Sequence, residues 1–180
     1  MKKNRILALL TLLLCQLGLA QERPQLVLQR GHEGSSEIRS VAPSPDGRFA
    51  YTASSDGTVK VWALDESHVV RTIYDEKTYP NPDDIGELQA AAFSPRSDWV
   101  VTLDEKGNFR RYSLPDGKLL GGFTDPDATD TDTALTSDGV HLYYLTRESL
   151  IKADFDGKKL ASVADDEFSH NNGRFVVSPD

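Results

Sequence analysis

The 180-residue chain carries 28 acidic and 20 basic side chains, a formal net charge of −8, with 38% hydrophobic and 27% charged residues. Those proportions suit a folded globular chain, and the negative charge disfavours nucleic-acid phosphates and anionic lipid surfaces as partners. A single cysteine, Cys15, excludes a disulfide framework within the chain.

The first twenty residues read as an export leader. Lys2, Lys3 and Arg5 form a basic start, Ile6 to Leu14 an apolar run, and Gly18 and Ala20 occupy the small-residue positions before a cut. The expected cleavage falls between Ala20 and Gln21. The apolar run is short for a membrane span, although an uncleaved anchor is the alternative. Cys15 follows Leu14, where a lipoprotein signal wants a small side chain, so lipidation is not expected. The leader predicts a bacterial exported protein, periplasmic or extracellular, with residues 21–180 as the mature part and no membrane contact beyond the leader.

Gln25 to Gln29 is an apolar strand pattern. The stretch Gly31–Trp62 then alternates short apolar runs with turns. Ile38 to Ala42 is followed by Ser44-Pro45-Asp46-Gly47, Arg48 to Ser54 by Asp56-Gly57, and Thr58 to Trp62 alternates as a strand does. Three strands joined by Asp-Gly turns make an antiparallel meander. The order Gly31-His32, then Ser44-Pro45-Asp46-Gly47, then Ser55-Asp56-Gly57-Thr58-Val59-Lys60-Val61-Trp62 closely resembles one WD40 repeat, the four-stranded blade of a β-propeller. The resemblance implies an all-β fold and assigns His32, Thr52, Asp56 and Trp62 to a structural hydrogen-bond tetrad. Their chemistry is compatible: the indole N–H donates, the hydroxyl does both, the imidazole relays and the carboxylate accepts. A His, an Asp and a hydroxyl also invite a triad reading, but geometry and not composition defines a triad. Ala63 stands where the family usually has Asp. In a ring, Gln25 to Gln29 would be the outermost strand of the last blade.

Later copies follow. Thr102 and Tyr112 repeat Thr52 and Trp62 fifty residues on, with Ser94-Pro95 and Gly107 in the same register. The period exceeds the usual repeat of roughly 40–45 residues, which places an insertion at Asp75 to Glu87, read as an exposed loop from its prolines and charges. This copy has Lys106 in the place of Asp56 and no preceding His, so its buried polar chain is expected to be missing and the blade to rely on packing. Arg111 stands where Val61 would pack. A third copy starts at Thr136-Ser137-Asp138-Gly139, with strands over Leu142 to Leu145 and Ser149 to Ala153, and with Asp154 in the place of the tryptophan. Asp116-Gly117-Lys118 and Asp156-Gly157-Lys158 are equivalent turns into fourth strands. A fourth copy begins near Phe168, where Gly173-Arg174-Phe175 matches Gly47-Arg48-Phe49.

The expected architecture is therefore a partial β-propeller of antiparallel four-stranded blades, near 31–74, 88–124 and 133–164, plus a fragment at 168–180. Three blades and a fragment do not close a ring, since propellers have four to eight. A longer protein, closure by self-association and a truncated remnant each fit.

Little of the remaining chemistry is specific. Asp125, Asp127, Asp130 and Asp132 cluster in a loop, but lack the Gly and Glu of an EF-hand calcium loop. They read as solvated acids, as do Asp165, Asp166 and Glu167. His68, His141 and His170 have no metal-ligand spacing, and Arg110-Arg111 is a basic pair, one of which is expected either to line the ring's top surface or to pair with a neighbouring blade's carboxylate. No catalytic, metal or cofactor-binding residue is assigned, and no cofactor is expected. The function expected is a non-catalytic scaffold for protein partners, without nucleic acid, with Asp75 to Glu87 and Asp125 to Asp132 as its binding surface. The alternatives are an exported enzyme whose appended domain, of peptidase type, follows Asp180, and a propeller hydrolase or quinoprotein using the central channel.

Overall fold

The computed structural model describes residues 31–81, 85–129, 135–146 and 149–164. The leader, the Gln25–Gln29 strand and the fragment at 168–180 lie outside the described residues.

Twelve strands are described, grouped into three antiparallel meanders. Blade 1 contains β1 (Ile38–Pro43), β2 (Phe49–Ser54), β3 (Val59–Ala63) and β4 (His68–Ile73). Blade 2 contains β5 (Leu88–Phe93), β6 (Trp99–Asp104), β7 (Asn108–Ser113) and β8 (Leu119–Thr124). Blade 3 contains β9 (Leu135–Ser137), β10 (Leu142–Leu145), β11 (Ser149–Ala153) and β12 (Lys159–Ala164). Each sheet keeps chain order from first strand to fourth. Corresponding positions pair alike: Tyr51 faces Val61 in blade 1, Val101 faces Arg111 in blade 2, and Tyr143 faces Lys152 in blade 3.

The turns explain the meanders. Ser44 accepts the Gly47 N–H through its carbonyl, and its hydroxyl donates to Asp46 and accepts from the Phe49 N–H. Ser94 repeats this with Asp98 in blade 2, again closing a tight turn with side-chain oxygens. Blade 1 adds its fourth strand after a turn at Asp65–Ser67, and His68 opens that strand, 3.3 Å from Glu66.

The blades stack through their first strands: β1 contacts β5, and β5 contacts β9. β5 is therefore crowded from both sides and its sequence is small, with Ala90, Ala91 and Ala92 all buried. The fourth strands lie outermost, and every residue of β12 is exposed. Two apolar cores result, both between blades. Tyr51, Val59, Val61, Val100 and Tyr112 fill the first, while Leu103, Phe109, Leu142, Tyr144 and Ile151 fill the second. No blade covers its own faces, so stability is a property of the stack.

Candidate functional site

The polar chemistry of the chain is concentrated where each blade's turns meet the segment leading into it. In blade 1 the Trp62 indole N–H donates to Thr52 Oγ1 at 2.8 Å. Thr52 Oγ1 lies 2.6 Å from His32 Nε2, and His32 Nδ1 lies 2.8 Å from Asp56 Oδ2. One assignment satisfies all four groups: His32 carries its proton on Nδ1 and gives it to Asp56, while Thr52 donates to Nε2. Asp56 also accepts from the Thr58 hydroxyl at 2.7 Å and from the Thr58 and Glu33 amides. Burial pushes the Asp56 pKa up, but the hydrogen bonds from Thr58, His32 and the Glu33 amide outweigh it and hold the carboxyl below its usual range.

Blade 2 departs from the sequence expectation. It does have a buried polar chain, built from other residues. Asp104, two positions before Lys106, accepts the Lys106 and Asn108 amides, the Asn108 side-chain amide at 2.9 Å and the Tyr79 hydroxyl at 3.1 Å. Tyr79 belongs to the insertion, so Asp75 to Glu87 is not simply an exposed loop: Tyr79 is buried. Asp75 accepts from Arg110 Nε at 2.7 Å and from the Thr78 hydroxyl at 2.7 Å. Burial raises the Asp75 pKa, and the Thr78 bonds with the Arg110 charge overcome this and lower it. A proline- and charge-rich sequence signals irregular backbone, but it does not reveal that one tyrosine and one aspartate turn inward to meet groups about thirty residues away.

Blade 3 uses the corresponding position again. Asp125 lies fifty residues after Asp75 and, like it, follows a fourth strand. Its carboxylate accepts from the Tyr144 hydroxyl at 2.7 Å and pairs with Lys159 at 3.0 Å. Burial raises the Asp125 pKa, but Tyr144 and Lys159 outweigh that and leave it depressed. Burial together with the adjacent Asp125 pushes the Tyr144 hydroxyl well above its normal range. Asp125 is thus a buried structural acid, which corrects its reading as a solvated loop residue, whereas Asp127 is exposed. Asp130 and Asp132 lie outside the described residues, as do Asp165, Asp166, Glu167 and His170. The fifty-residue spacing of Asp75 and Asp125 was the available sequence signal for this arrangement.

The basic pair divides. Arg110 binds the linker carboxylate of Asp75, and Arg111 lays its guanidinium over Phe155 of blade 3, 4.4 Å from the ring centre, with Trp99 beside it. Replacing an apolar side chain by Arg at this site is tolerated because two aromatic faces receive the cation. His141 is part of a turn, 3.0 Å from Asp138, which also accepts from Tyr143.

Beside the blade 1 tetrad a cavity of about 460 Å³ opens between the turns, lined by Glu33, Ser35, Ser36, Ser55, Ile85 and Glu87 among others. Arg39 on β1 bridges Glu37 at 2.9 Å and Glu87 at 3.2 Å, tying this end of blade 1 to blade 2. The lining is hydroxyl and carboxylate, which recognises donors and cations.

Comparison with known proteins follows the same outline. The family model described as "WD domain, G-beta repeat" matches residues 23–63. The chain is similar to the small ribosomal subunit protein RACK1 of Candida albicans, 25% identical over 68% of this chain and 37% of the relative. It is also similar to ribosomal RNA-processing protein 9 of Saccharomyces cerevisiae, 32% identical over 43% of this chain and 13% of the relative. The chain thus spans well under half the length of these curated relatives. Among solved structures, the WD40 repeats of RRP9 share the fold, with a TM-score of 0.56 at 15% identity, covering 76% of this chain and 41% of that one.

Proposed function

We propose that this chain, a WD40-repeat protein built of stacked propeller blades, is a non-catalytic scaffold that presents its turn-rich end to protein partners. The observation that carries the reading is the state of His32. Both of its ring nitrogens are engaged, with Thr52 and Asp56, and Thr52 is in turn held by Trp62. An imidazole saturated by structural partners has no nitrogen left to move a substrate proton, so the one His-Asp-hydroxyl set in the first repeat serves the fold. The surface beside it, with Glu33, Glu87 and the serines around the 460 Å³ cavity, is the face offered to a partner. This replaces the two whole loops expected from sequence, because Tyr79 and Asp125 are buried and Asp75 is half-buried and held by Arg110.

Photo-crosslinking from Ser36 and Ile85 tests this. Protein adducts that are lost on Glu33→Lys and Glu87→Lys support the scaffold. Turnover by the purified chain that Asp56→Asn abolishes overturns it. Export rests on the leader pattern alone, and the mass of the product made in a bacterial host checks it: a mature start at Gln21 is expected, and retention of Met1 in the periplasmic fraction refutes cleavage.

A further inference from the structure

On the outer flank of the stack an open cleft of about 470 Å³ runs between β4 of blade 1 and the turn entering β8 of blade 2, with Arg71, Tyr74, Lys77, Tyr112, Gly117 and Leu119 in its walls. Gly117 lets the wall formed by the turn approach β4 closely. Its φ is +69°, and a Cβ there would sit 2.8 Å from Ile73 Cγ1 and 3.1 Å from Arg71 Cδ. The turn can therefore lie close on β4, with the stem of Arg71 across it.

The charges of this cleft run against the sign of the chain. Two carboxylates line it, Asp75 and Glu76, and Asp75 is already neutralised by Arg110 at 2.7 Å. Among the described residues the side chains of Arg71 and Lys77 have no hydrogen-bond or ion-pair partner. Two free cations thus face one free acid on a protein of net charge −8. The inner wall is Tyr112, only 4% exposed, whose hydroxyl has no hydrogen-bond partner among the described residues. In blade 1 the residue at this position, Trp62, gives its N–H to Thr52; the corresponding Tyr112 donor is unused. A buried donor without an acceptor is uncommon. Leu119 and Tyr74 add apolar surface beside the cations. The volume lies in the range of clefts that take small ligands or a few residues of a chain.

We propose that this cleft binds an acidic peptide segment of a protein partner, with Arg71 and Lys77 receiving a carboxylate and Leu119 an adjacent apolar side chain. The proposal rests on the scaffold reading but uses a face separate from the Glu33–Glu87 cavity, so the two fail independently.

The test is an amide NMR titration of the full chain with the acetylated peptide Glu-Asp-Leu-Asp-Glu, and with Lys-Lys-Leu-Lys-Lys as its counterpart. Saturable shifts at Gly117, Lys118 and Leu119 with the acidic probe alone, weakened by salt and by about tenfold in Arg71→Glu/Lys77→Glu, establish the site. Both substituted residues are exposed, and an unchanged urea midpoint confirms that the variant folds. Tyr112→Phe, which keeps the ring, is expected to weaken binding less than the double charge reversal. Equal affinity in the charge-reversed variant, shifts confined to other surfaces, no saturable shifts, or preference for the basic peptide overturns the proposal. Capture at Ser36 and Ile85 reports separately on the scaffold.

Discussion

Tyr144 gives its hydroxyl to Asp125 Oδ2 at 2.7 Å, joining the second strand of blade 3 to the linker that leaves blade 2. Both residues are buried, and Tyr144 has no exposed surface. Tyr144 stands where Thr52 stands in blade 1, so one position that meets a histidine there meets a carboxylate here. Tyr144→Phe keeps the ring packed against Phe109 and removes only the hydrogen bond to a charged acceptor. The expected cost is about 1.5–3 kcal/mol, read as a lower urea midpoint with unchanged slope. A midpoint equal to that of the parent removes Asp125 from the account of blade stacking.

Thr52 is the middle of the blade 1 chain. Thr52→Val conserves shape but strips Trp62 of its acceptor and His32 Nε2 of its donor, leaving two part-buried groups unpaired. At about 1–3 kcal/mol for each unsatisfied group, destabilisation of roughly 2 kcal/mol or more is expected. Thr52→Ser retains both bonds and is expected to lose well under that. Equal losses for the two variants would show that the methyl group, and not the hydroxyl, matters.

Gly107 and Gly47 share a left-handed backbone, at φ +76° and +69°, but differ in surroundings. A Cβ at Gly47 meets nothing, whereas one at Gly107 overlaps the carbonyl oxygen of Asp125. Gly47→Ala is therefore expected to cost only the conformational penalty, about 1–2 kcal/mol. Gly107→Ala must also displace the linker backbone. Denaturation of the two variants side by side decides this, and a penalty at Gly107 no larger than at Gly47 refutes the close approach.

Acid sensitivity follows from three carboxylates. Asp56, Asp75 and Asp125 all have native pKa values below the ordinary range. A depressed native pKa means that the unfolded chain binds the proton more readily, so the stabilisation is complete above the unfolded value near 3.9. It is lost as pH falls through the native values. The urea midpoint is expected to decline as pH drops from about 5 toward 3. Asp75→Asn should lower the midpoint at neutral pH and flatten its acid decline. An undiminished decline in that variant removes Asp75 from the cause.

Much of the architecture was legible in local residues. Asp-Gly and Ser-Pro turns separate short alternating runs, and the meanders over residues 38–63, 99–113 and 142–153 are where those runs lie. Turns are settled by neighbours within four or five residues, which is why Ser44, Gly57 and Gly117 could be placed. The polar interior was less legible. Substitution of Asp56 by Lys106 suggested that blade 2 had lost its buried chain, while Asp104 and Tyr79 had formed another.

Sequence by itself determined that this is a stack of four-stranded repeats, because strand period, turn chemistry and internal spacing are all written along the chain. Only the tertiary structure decided which acids are interior. Asp75 and Asp127 look alike in sequence, yet Asp75 pairs with Arg110 and Asp127 faces solvent. A carboxylate enters the interior only where donors replace its water, and for Asp75 and Asp125 those donors include Arg110 of blade 2 and Tyr144 and Lys159 of blade 3, which no local pattern reveals.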